Sequence, residues 1–244
     1  RLIREQISKL KRDLEQVKQH RATQRKQRSE GSYPVVCIVG YTNAGKSTLL
    51  NHLTQADVLE EDKLFATLDP TTRTLKMPNG QTVLLTDTVG FISKLPHHLI
   101  QAFRSTLEEA KYSDLILHVV DASNPEMDRQ MFAVYETLRQ LEIGDKPVIT
   151  VFNKIDRLED KPILKDLKAE ATVMISAKQE IGFDHLFDAV EYAVRSHQVY
   201  IEKIVPYKDT ARLANVRKYG QLLEEEYKED GIHIKAYVRR QEDI

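Results

Sequence analysis

The chain reads as an α/β protein built on a doubly wound, mostly parallel sheet, with an N-terminal helix and a small C-terminal α+β module. Three observations predict this. The apolar run Val35, Val36, Cys37, Ile38, Val39 leads into Gly40-Tyr41-Thr42-Asn43-Ala44-Gly45-Lys46-Ser47, which fits G-x-x-x-x-G-K-[ST] between a buried strand and a helix. Beyond it, strand-like and helix-like runs alternate, the pattern of βαβ units whose ligands gather at the carboxyl ends of the strands. Finally, Pro78-Asn79-Gly80-Gln81 separates two short strand-like runs, and Asn-Gly there signals a hairpin, hence one antiparallel pair at the sheet edge.

Composition narrows the class. With 244 residues, 41% hydrophobic and 30% charged, the chain can hold one sizeable α/β domain and an accessory element. No apolar run approaches the ~18 residues of a membrane span, so no membrane partner is expected. The lone cysteine, Cys37, sits inside the first strand as a small reduced core residue, which leaves neither a disulfide framework nor a cysteine metal site. A reducing, cytoplasmic location and a monomer are the expected states. The chain begins at an arginine within a helical pattern, as a fragment would. Its charge is uneven: residues 1 to 30 carry ten Lys/Arg against four Asp/Glu, and the remainder 26 against 33. Such a basic arm suits nucleic acid or is simply an exposed charged helix face.

In chain order, Ile3, Ile7, Leu10, Leu14 and Val17 form one helical seam of two heptads, too short for a coiled coil alone. A polar stretch from Gln19 to Ser32 follows. Residues 1–32 are therefore expected to be a basic helical linker, 33–198 the nucleotide domain and 199–244 the small module. After the phosphate loop, Thr48 to Leu53 predicts a short helix, and Asp57 to Arg73 a long loop of functional character. Thr74 to Met77 and Thr82 to Thr86 are the hairpin strands. Leu99, Phe103, Leu107 and Ala110 mark a helix face; Leu115 to Val120 is a buried strand ending at Asp121. The unit repeats as a helix from Glu126 to Leu141 and a strand from Pro147 to Phe152, then a short helix near Ile163 to Lys168 and a strand from Thr172 to Ile175. A helix from Asp184 to Arg195 closes the domain. In the module, Ile201 to Val205, a helix between Asp209 and Gly220, and strands at Leu222 to Tyr227 and Ile232 to Val238 predict β-α-β-β.

The motifs point to phosphate and base chemistry. Glycines in the loop let backbone N–H groups close around phosphates, and the helix opening at Lys46 aims its positive dipole end at them. Lys46 reaches the β- and γ-phosphates, and the Ser47 hydroxyl suits Mg²⁺ bridging them. Asp87-Thr88-Val89-Gly90 supplies a strand-end carboxylate for the same Mg²⁺ and a Gly90 N–H for a γ-phosphate oxygen. Asn153-Lys154-Ile155-Asp156 is more specific. Asp156 can accept from both N1–H and N2–H₂ of guanine, an edge adenine does not present. Asn153 braces the loop and the Lys154 stem covers the ring. Ser176-Ala177-Lys178 offers a backbone N–H to guanine O6. Each segment alone is also an ordinary strand-end turn; their order and placement together argue for a site.

These residues resemble the translation-factor-related P-loop GTPases. The segment Phe65-Ala66-Thr67-Leu68-Asp69-Pro70-Thr71-Thr72-Arg73, with the phosphate loop and Asp87-Thr88-Val89-Gly90-Phe91-Ile92, is similar to the HflX family in particular, over about Tyr33 to Val194 and more loosely beyond. The resemblance implies Thr67 as the mobile-loop threonine closing on Mg²⁺ beside Ser47 and Asp87, and switch loops that order and release with the γ-phosphate. It implies GTP and GDP as ligands and the large ribosomal subunit, its RNA and protein, as partner. By the same resemblance, the sequence is expected to be a fragment without the family's N-terminal domain. The expected nucleotide contacts are Gly40, Asn43, Ala44, Gly45, Lys46, Ser47, Thr48, Phe65, Thr67, Asp87, Gly90, Asn153, Lys154, Asp156, Ser176, Ala177 and Lys178, with Lys46, Thr67 and Gly90 nearest the chemistry.

One position departs from small GTPases: Phe91 stands where a water-orienting glutamine would sit, so unassisted hydrolysis is expected to be slow. A partner or an ion would complete the site. Asn43 either helps to hold K⁺ there or only braces the loop. The readings are thus a slow GTP hydrolase switching on the ribosome, or a module that senses guanine nucleotide with negligible hydrolysis. An ATP-dependent kinase or ATPase is disfavoured by Asp156.

Overall fold

The computed structural model describes residues 33–54, 71–88, 90, 110–160 and 162–238. The helical linker expected over 1–32, most of the loop 57–73, including Phe65 and Thr67, Phe91, and the helix face before Ala110 lie outside them. Residues 34 to 244 form a unit separate from residues 1 to 33.

Among the described residues, six strands make the main sheet in the order β2-β3-β1-β4-β5-β6: β1 (Val35–Gly40), β2 (Thr71–Lys76), β3 (Thr82–Asp87), β4 (Leu115–Asp121), β5 (Val148–Asn153) and β6 (Ala171–Met174). Of these, only β2 runs antiparallel, paired with β3 at the edge through the expected Asn-Gly hairpin. The pairing extends three residues further back than the sequence suggests, because Thr71, Thr72 and Arg73 still find partners in Asp87, Thr86 and Leu85. β4 is buried at every residue, which is why its sequence lacks alternation.

Alternate side chains of the central strands feed two cores. Val36 and Ile38 point to the side packed by α1 (Lys46–Thr54) and α3 (Phe183–Ser196), with Leu49, Leu50, Leu186 and Val190. Cys37 and Val39 point to the other, with Val134 and Leu138 of α2 (Met127–Gln140). Cys37 is a fully buried thiol outside any disulfide.

The short helix expected at Ile163 to Lys168 is absent. Asp166 turns inward instead, accepting from Thr150 Oγ1 at 2.7 Å, Tyr135 Oη at 2.5 Å and the Lys168 N–H at 3.0 Å, while its own N–H donates to Thr172 Oγ1. A side chain that captures local backbone donors competes with the helix, and Ile163 and Leu167 are left exposed. Above this clamp, His118 of β4 is buried edge-on to Tyr135, with ring centres 5.2 Å apart. Burial, opposed by Asp166 and helped by Lys46, pushes its pKa down to about 4 from 6.5. The unfolded imidazole takes up its proton at higher pH than the folded one. This contribution to stability is therefore full above pH 6.5 and is lost as pH falls from there towards 4, about 3 kcal/mol in all. Urea unfolding should show this slope, and His118→Phe should flatten it between pH 6.5 and 5. Identical slopes in both chains would rule His118 out as the proton acceptor.

The last residues form a second sheet, β7-β9-β8, from β7 (Val199–Val205), β8 (Gln221–Lys228) and β9 (Gly231–Val238). α4 (Thr210–Tyr219) covers one face through Leu213 and Val216 on Ile201, Ile232, Ile234 and Ala236. Asp209 holds the N-cap position of α4, but its carboxylate pairs with Arg212 at 2.9 Å rather than capping an N–H. Arg195 joins α3 to the second sheet, donating to Gln221 Oε1 at 3.3 Å and lying over the Tyr237 ring.

Candidate functional site

Four loops meet at the carboxyl ends of the parallel strands. β1 ends in the phosphate loop, whose turn takes Gly40 to φ +154°, Asn43 to +61° and Gly45 to +94°. The glycines are required by contact as well as by torsion: a Cβ on Gly40 would lie 2.2 Å from Val119 O, and one on Gly45 2.3 Å from Asn153 Nδ2. Lys46 opens α1, and its ammonium folds back over the loop to donate to Tyr41 O at 3.0 Å.

Ser47, the next residue, donates from Oγ to Asp87 Oδ2 at 3.0 Å, joining α1 to the end of β3. A hydroxyl and a carboxylate at this distance, beside a phosphate loop, fit Mg²⁺, which uses one or two protein oxygens together with phosphate and water. Among the described residues no cluster of three or more His, Cys, Asp or Glu offers a metal cage of its own. Thr88 anchors the following turn by donating to Ile38 O at 2.7 Å. Gly90 then passes over the loop so closely that a Cβ would meet Lys46 Nζ at 2.9 Å and Thr42 Cα at 2.9 Å. Gly90, Lys46, Ser47 and Asp87 thus share one small region. Thr48 is half-buried in the first turn of α1.

Asn153 ends β5 and ties three loops together. Its Nδ2 donates to Ala44 O at 2.9 Å in the phosphate loop, and its Oδ1 accepts from Ala177 N at 2.9 Å. Asp156 lies in a single 3₁₀ turn, Ile155–Arg157, with Oδ1 held by Ser176 Oγ at 2.5 Å. Residues 176 to 181 close on themselves through paired Ser176 and Ile181 backbone bonds, which leaves Lys178 exposed. Lys154, at φ +66°, sends its ammonium to Asn43 O at 2.7 Å and Asp121 Oδ2 at 2.7 Å. Sequence reasoning left Asp121 as a strand end. The signal was there, since it is the one acidic residue of that buried strand and closes it at its carboxyl end, as Asp87 closes β3.

Lys46 is the strongly shifted cation of the site. Its burial lowers the pKa to about 8, against the opposing pull of Asp87. Bound phosphates would raise it again, so nucleotide binding above pH 8 must take up a proton. The GDP dissociation constant should be flat below pH 8 and rise above it, approaching about tenfold per pH unit. A flat profile to pH 9.5 would show that Lys46 keeps its charge without phosphate.

A parallel sheet carrying a glycine phosphate loop, an Asp-x-x-Gly turn, an Asn-Lys-x-Asp turn and a Ser-Ala-Lys loop on successive strand ends defines a P-loop GTPase domain. The family model described as 50S ribosome-binding GTPase matches residues 35–154. The chain is 61% identical to the GTPase HflX of Lacrimispora saccharolytica over 98% of its own length and 56% of that protein. It is 48% identical to the GTPase HflX of Caldanaerobacter subterraneus subsp. tengcongensis, over 98% of this chain and 55% of that one. It spans little more than half the length of these relatives. Among solved structures, a GTP-binding protein from the hyperthermophilic archaeon Sulfolobus solfataricus in complex with GDP matches with a TM-score of 0.54 and 29% identity, over 66% of this chain and 52% of that one. Over 98% of its length the chain is thus similar to the HflX GTPases.

Proposed function

We propose that this chain binds GTP and hydrolyses it slowly to GDP, and that the large ribosomal subunit is the partner on which the cycle acts as a switch. The observation that carries the nucleotide reading is the bonding of Asn153 to Ala44 and Ala177 and of Ser176 to Asp156, which ties to the phosphate loop two neighbouring turns, one carrying the Asp156 carboxylate and the other the backbone N–H groups of the Ser176-Ala177-Lys178 loop. Those two groups match N1–H, N2–H₂ and O6 of guanine. Lys46 and the Gly90 N–H would bind the β- and γ-phosphates; Ser47, Asp87 and Thr67 would hold Mg²⁺, which neutralises developing charge between them. Ribosome association is supported by the description of the matching family model and by the HflX relatives. A second reading, a guanine-nucleotide sensor without useful turnover, is favoured by Phe91, whose ring does not orient water by hydrogen bonding.

Turnover of GTP and ATP, each with and without large subunits, tests the proposal. GTP should be preferred, and subunits should accelerate it; no hydrolysis under either condition would leave the sensor reading. The basic segment 1–28 should contribute salt-dependent affinity for the subunit. Its deletion should lower the log–log salt slope by about 0.7 to 0.9 for each phosphate the segment neutralises, and an unchanged slope would make the segment a structural tail.

A further inference from the structure

Asp121 closes β4, which lies between β1 and β5 in the sheet, so it stands between the phosphate loop and the base-binding turn. It is 9% exposed and uses both carboxylate oxygens. Oδ1 accepts from Ser123 N at 3.0 Å and Ser123 Oγ at 2.6 Å, which fixes its rotation. Oδ2 accepts from Lys154 Nζ at 2.7 Å. The same ammonium donates to Asn43 O at 2.7 Å, so two of its three N–H groups have assigned protein partners. The ion pair is largely withdrawn from water, with the Lys154 and Asp121 side chains 14% and 12% exposed.

The residues on either end of this link carry left-handed backbones without being glycine: Asn43 at φ +61° and Lys154 at φ +66°. Such conformations persist where surrounding contacts over-determine them. The neighbouring link is parallel, since Asn153 Nδ2 holds Ala44 O. Two successive side chains of the base turn thus grip two successive carbonyls of the phosphate loop, and only the Lys154 grip depends on a charge. A lysine with its carboxylate removed would be a desolvated cation beside a polyanion site, free to leave the Asn43 carbonyl for phosphate or water.

We infer that Asp121 is a positioning residue for nucleotide binding: by holding Lys154 on the Asn43 carbonyl it fixes the phosphate loop relative to the base turn, so that base and phosphates are gripped at one spacing. This rests on reading the site as one for guanine nucleotide. Asp121 acts only through Lys154, so its effect should vanish when Lys154 is changed.

The test is a double-mutant cycle read by GDP affinity on the full chain. Asp121→Ala should weaken GDP binding about tenfold, and Asp121→Asn, which keeps the shape and an acceptor, by less. On a Lys154→Met background, Asp121→Ala should change the affinity by less than twofold. Ser123→Ala, which removes a turn hydrogen bond but spares the ion pair, should also stay within twofold. Equal losses from Asp121→Ala with and without Lys154 would overturn the inference and make Asp121 a residue of its local turn; so would an unchanged affinity in a folded Asp121→Asn and Asp121→Ala. If the unmodified chain bound GDP no better than ADP, the guanine reading itself would fail, and this inference with it. Guanine-selective binding combined with additive losses would sink the inference alone.

Discussion

Asp156→Asn should weaken GDP and GTP binding by roughly ten- to 150-fold, because the change removes a charged acceptor from two hydrogen bonds, an effect of about 1.5 to 3 kcal/mol. The structure adds a reason to expect the upper part of that range. Ser176 Oγ holds Asp156 Oδ1 at 2.5 Å, so the carboxylate is set before the base arrives and little ordering cost offsets its loss. An asparagine would present an NH₂ to a 2-carbonyl, moving preference towards xanthine nucleotides. Competition between GDP and XDP for both chains checks this. Unchanged relative affinities would remove Asp156 from base recognition and with it the main support for guanine specificity.

Turnover should be faster in KCl than in NaCl at matched ionic strength, with Asn43→Ala erasing the difference while leaving GDP binding largely intact. A cation fixed beside the β- and γ-phosphates would stabilise the developing charge that an arginine finger stabilises in other GTPases, where the effect reaches about 10³ to 10⁵ in rate. Asn43 is exposed at the crest of the phosphate loop, and its backbone carbonyl is already committed to Lys154. The bond from Lys154 braces the loop through the main chain; the Asn43 side-chain carbonyl would then either meet the ion or add to that brace, and the salt comparison separates the two. Equal rates in the two salts, alone and with large subunits, would take the cation out of the mechanism. Compensation for Phe91 would then fall to the partner.

The sheet was legible because buried parallel strands write themselves as continuous apolar runs, and β1, β4 and β5 all begin or end within a residue of those runs. The edge hairpin was legible because an Asn-Gly pair marks tight turns; here Gly80 alone is left-handed, at φ +85°, and its N–H donates to Met77 O at 2.9 Å. The stretch Ile163 to Lys168 was misread for an equally local reason. Its apolar spacing resembles a helix face, but Pro162 precedes it and Asp166 is drawn inward by Thr150 and Tyr135, residues distant in sequence. Periodicity carries no record of such a partner.

By itself the sequence determined which groups the site holds: a glycine loop that admits phosphate, a lysine and serine at a helix start, and carboxylates at strand ends. Those follow from local chemistry, since torsional freedom, donor count and charge belong to single residues and short spacings. Only the tertiary structure decided how the groups are joined. Strand order placed β4 between β1 and β5, which set Asp121 within 2.7 Å of a lysine 33 residues away and that lysine on a carbonyl 111 residues away. Packing buried Lys46 and His118 and so shifted their proton affinities. Desolvation and long-range pairing depend on what surrounds a group in space, and a linear pattern does not state that.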